Sequence, residues 1–89
     1  MPERTTAVKI IAAPTREQGQ DFVIVLVKDR VIQDPTERDN LIRASERQFG
    51  VRAALMGEQQ KKTYGPQDIV KWLEGIAFEQ LPWREFSLN

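Results

Sequence analysis

Residues 22–27 read Phe-Val-Ile-Val-Leu-Val, apolar at every position. In an extended chain successive side chains point to opposite faces. Phe22, Ile24 and Leu26 therefore take one side, and Val23, Val25 and Val27 the other. A run this short, and this rich in Val and Ile, reads as a strand rather than a buried helical turn. A strand greasy on both faces belongs inside a covered sheet. Its cover comes from the chain's own helices, one on each face, or from a second copy.

The flanking sequence supplies candidates for both. Thr6–Ala12 is β-branched, with Val8 and Ile10 on one face, and predicts an earlier strand. Pro14 is expected to stop it, and Pro14–Gln20 to form a loop. Val31-Ile32 either extends the apolar strand past Lys28-Asp29-Arg30 or makes a short return, and the sequence leaves both open. Asp34-Pro35-Thr36-Glu37 is a helix start: an N-cap, a proline at the first position and an acid at the third. The helix is predicted over Pro35–Phe49, ended by Gly50, with Leu41, Ile42, Ser45 and Phe49 as its inner stripe and Ala44 beside it. Asp39–Arg43 is an ion-pair spacing on its outer side.

Val51–Met56 reads as the next strand, parallel to the first through a right-handed crossover. Residues 57–62 form a loop, or the turn of a hairpin closed by Lys62-Thr63-Tyr64. Gly65-Pro66 opens a second helix, with Pro66 at its first position and Ile69, Trp72, Leu73 and Ile76 as its stripe. Gly75 interrupts or ends it. The predicted fold is α/β: one domain over 1–89, order β-β-α-β-(β)-α, with a mixed sheet of three to four strands and helices packed on it. Residues 1–5 are expected to lack fixed structure, and 77–89 to form an aromatic tail. At 10.3 kDa the folded surface should be about 5,400 Å², so about 64% of the extended chain's surface can be buried, enough for one core.

Function is constrained mostly by exclusion. The chain has no Cys and no His. That removes Ser-His-Asp and Cys-His catalysis, thiol redox chemistry and ordinary zinc sites. The glycines at 19, 50, 57, 65 and 75 are too scattered for a phosphate-binding loop. No metal or other cofactor is expected, and no catalytic residue is assigned. Asp34, Glu37 and Asp39 cluster where helix capping already explains acids. Asp29, Glu58 and Lys61 hold the residue types of a nuclease-like site without a spacing that demands one.

Two surfaces remain. Trp83, Arg84 and Phe86 combine the residue types enriched at interface anchors. They point to a non-enzymatic interaction module that contacts another protein or a second copy of itself, as a homodimer or an adaptor. The same tail can instead wrap back and complete a small core. Arg38, Arg43, Arg47, Lys61 and Lys62 with Tyr64 are the alternative, a nucleic-acid surface. Interleaved acids and a formal net charge of zero weaken the field it needs. The longest apolar run is far short of the roughly 20 residues of a membrane span, so the expectation is a cytoplasmic protein with no membrane partner.

Overall fold

The computed structural model describes residues 8–17 and 19–88. The segment 1–5, expected to lack structure, lies outside the described residues. The elements are β1 (Val8–Glu17), β2 (Gln20–Val27), α1 (Asp29–Ile32), α2 (Pro35–Phe49), β3 (Arg52–Gly57), β4 (Thr63–Tyr64), α3 (Gln67–Leu73) and β5 (Arg84–Leu88), with a 3₁₀ turn at Phe78–Gln80.

The five strands form one sheet in the order β4-β3-β2-β1-β5. The apolar run thus lies on the middle strand. It pairs antiparallel with β1 and parallel with β3, Val25 facing Ala12 on one side and Leu55 on the other. Val23, Ile24 and Val25 are fully buried, and Phe22 and Val27 nearly so. Its alternate residues feed two separate cores. Val23, Val25 and Val27 join Ile10, Ala12, Ala53 and Leu55 under Val31, Leu41, Ile42 and Phe49 of α1 and α2. Phe22 and Ile24, with half-buried Leu26, meet Ala13, Ala54 and Met56 under Ile69, Trp72 and Leu73 of α3. The chain's own helices cover the two faces, one group on each.

The α2 helix forms as its ends dictate. Asp34 accepts hydrogen bonds from the amides of Thr36 (3.1 Å) and Glu37 (3.2 Å), and Gly50 closes the helix in the left-handed region at φ 70°. The Glu37 carboxylate pairs with Arg30 at 3.4 Å. Ser45 lies fully buried on the inner stripe, its hydroxyl without a hydrogen-bond partner among the described residues.

Four local expectations are corrected, and one open choice is decided. Pro14 does not stop β1, which runs on to Glu17 with Pro14 opposite Val23. The pairing of β5 with β1 ends at Ala12, so beyond it β1 has one partnered flank, where proline is tolerated. Val31-Ile32 is neither strand nor return but the end of a one-turn helix that tucks Val31 into the core. Pro66 stands one place earlier than expected, at the N-cap with ψ 137°, and α3 ends at Leu73 before reaching Ile76. The charged turn around 57–62 does close a hairpin, Met56 facing Thr63. Finally, the tail contributes a fifth strand, β5, where three or four were expected. Among the described residues no helix is long and apolar enough to cross a membrane.

Candidate functional site

The three aromatic-tail residues do not form one cluster. Trp83 lies on the α3 side, half-buried, stacked on Phe78 with centroids 5.0 Å apart. Its indole N–H donates to the Phe78 carbonyl at 2.9 Å, so the ring closes the 3₁₀ turn. Phe86 faces the opposite way. It sits across from Ile10 and meets Phe49 edge-on at 5.0 Å, packed on the α2 side. Arg84 is exposed on the Phe86 side, its guanidinium 5.7 Å from that ring. Both rings complete cores, and of the three candidates Arg84 is the one left to solvent. Since β5 pairs with β1 and stands last in the sheet, its outer flank has no strand partner among the described residues. The Gln48 side chain reaches the Ser87 carbonyl at 3.3 Å and caps part of that edge.

The basic set is divided in the same manner. Arg38 is half-buried, with its guanidinium 3.8 Å over the Tyr64 ring and its Nε 3.5 Å from Asp39. The Tyr64 hydroxyl donates to the same carboxylate at 3.5 Å. One face of Tyr64 is therefore already occupied, which removes it as an open stacking platform. Arg43 donates to Asn40 at 2.7 Å rather than to Asp39, and Arg47 is exposed a turn further along α2. Lys61 turns toward the α3 side, its ammonium 4.7 Å from the Phe78 ring, and Lys62 is exposed at the hairpin.

Asp29 of the nuclease-like set has a structural duty, and so does Asp68 on α3. Asp29 accepts from the amides of Gln59 and Gln60, each at 3.2 Å, and so fastens the β3–β4 turn to the start of α1. Gly57 permits this approach, because a Cβ there would lie 2.5 Å from the Asp29 carboxylate. Arg52 grips Asp68 with both terminal nitrogens, at 3.1 and 2.9 Å, and Gln20 at 2.6 Å. That fork joins the starts of β2 and β3 to α3. The hydrogen bond from Arg52 holds the Asp68 carboxyl below the ordinary carboxylate range, against a smaller opposing effect of burial. Among the described residues no three acidic side chains gather as a metal-holding group.

One surface was not anticipated from the sequence. With only seven residues, α3 covers the Phe22 end of its face and leaves the other end thinly roofed. There Ile11 stays 37% exposed, the only exposed large hydrophobic among the described residues. Leu26 beside it is half-buried. Further along, a shallow cleft of about 270 Å³ is lined by Met56, Ile76 and Phe78, with Lys61 and Glu74 at its rim. Beside Ile11, Lys9 and Glu85 form a loose, exposed pair at 4.0 Å. The available signal was the alternation of Lys9, Ile11 and Ala13 on the face opposite Ile10. Scans of protein-family models, of curated proteins and of solved structures find no match to this chain.

Proposed function

We propose that this chain is a non-enzymatic, cytoplasmic protein-interaction module that works by contact with a second copy of itself or with another protein. The observation that carries the reading is the unfinished cover of the sheet: Ile11 stays exposed at the end of the face that α3 does not reach, beside half-buried Leu26. Monomeric domains seldom leave contiguous apolar surface open without a use for it. The unpaired flank of β5, which presents Arg84, is a second place where an extended segment could add to the sheet. Against an enzymatic role stands the engagement of the acids, with Asp29, Asp34 and Asp68 each satisfying a backbone amide or a guanidinium. Against nucleic-acid binding stands the burial of Arg38 on Tyr64, which takes two of the six candidate residues into the fold.

The test uses Arg84→Glu, which reverses an exposed charge whose contact with the core is the Phe86 ring 5.7 Å away. Light scattering and co-purification are compared with the wild type. The reading expects a lower association mass or loss of a bound protein. An unchanged mass with an unchanged set of co-purifying proteins, for both this variant and Ile11→Lys, overturns it. So does retention of DNA or RNA that weakens steeply with salt, which is the mark of phosphate contacts.

A further inference from the structure

We draw no further inference here: the strongest candidate, the outer flank of β5 at the edge of the sheet, carries nothing beyond the contact already proposed, since Gln48 holds the Ser87 carbonyl there and nothing in the structure shows what covers the rest.

Discussion

Replacing Gly57 by alanine should destabilise the protein through Asp29 and almost nothing else. The new Cβ would sit 2.5 Å from Asp29 Oδ1 and 3.4 Å from its Cγ, so the carboxylate must move. Moving it breaks the bonds it accepts from the amides of Gln59 and Gln60. These are exposed, so each is worth about 1 kcal/mol, the net value of an ordinary protein hydrogen bond. Alanine also restricts the unfolded chain, which offsets about 0.5 kcal/mol. Gly57→Ala should therefore cost about 1.5 kcal/mol, and Asp29→Ala, which loses the same two bonds, about 2 kcal/mol. In the Asp29→Ala background the obstacle is gone, and Gly57→Ala should be neutral or stabilising by about 0.5 kcal/mol. The coupling is then about 2 kcal/mol, well beyond the 0.3–0.5 kcal/mol scatter of independent sites. Urea denaturation of the four proteins, read as midpoints at constant slope, measures it. Equal costs of Gly57→Ala in both backgrounds would refute the idea that this glycine exists to admit Asp29.

Other outcomes follow from the same contacts. Asp34→Ala removes the acceptor for the first amides of α2 and should cost about 1 kcal/mol in thermal or urea unfolding, whereas Asp34→Ser should recover most of it. Phe86→Ala strips the ring from the Phe49 contact and should cost about 2–3 kcal/mol, below the figure for a fully buried ring because Phe86 is half-buried. Asp68→Asn should reduce stability at neutral pH. The hydrogen bond from Arg52 holds the folded Asp68 carboxyl below its ordinary range, so its contribution is present above the unfolded value and fades as pH falls through the folded one. Wild type and variant should therefore converge in acid, as a pH series of melting curves would show.

Much of the architecture was legible because single residues carry unambiguous signals. The six-residue apolar run specified both faces of the middle strand, and its alternation sorts Val23, Val25 and Val27 from Phe22, Ile24 and Leu26 into separate cores. Asp34 and Gly50 bracket α2 because capping and left-handed termination are local chemistry. What escaped depends on neighbours distant in sequence. Pro14 is compatible with β1 only because β5 stops at Ala12, and nothing near Pro14 says so. The strand Arg84–Leu88 carries an alternating pattern, but its aromatic residues read equally as a docking motif. Pairing with β1 decides the matter by sending Phe86 to one face, while Trp83 packs on the other. Arg38 looked solvent-facing by helical spacing and is drawn inward by Tyr64, 26 positions later. The exposed Ile11 was hidden because exposure depends on where the roof of α3 ends.

The fold depends on a middle strand closed over by the chain itself on both sides. Amide hydrogen exchange, resolved residue by residue, tests this directly. The amides of Val23, Ile24 and Val25 should be the slowest in the molecule, with opening free energies equal to the global unfolding value from urea. Exchange of these amides as fast as those of β4 or the outer flank of β5, well below global stability, would contradict it.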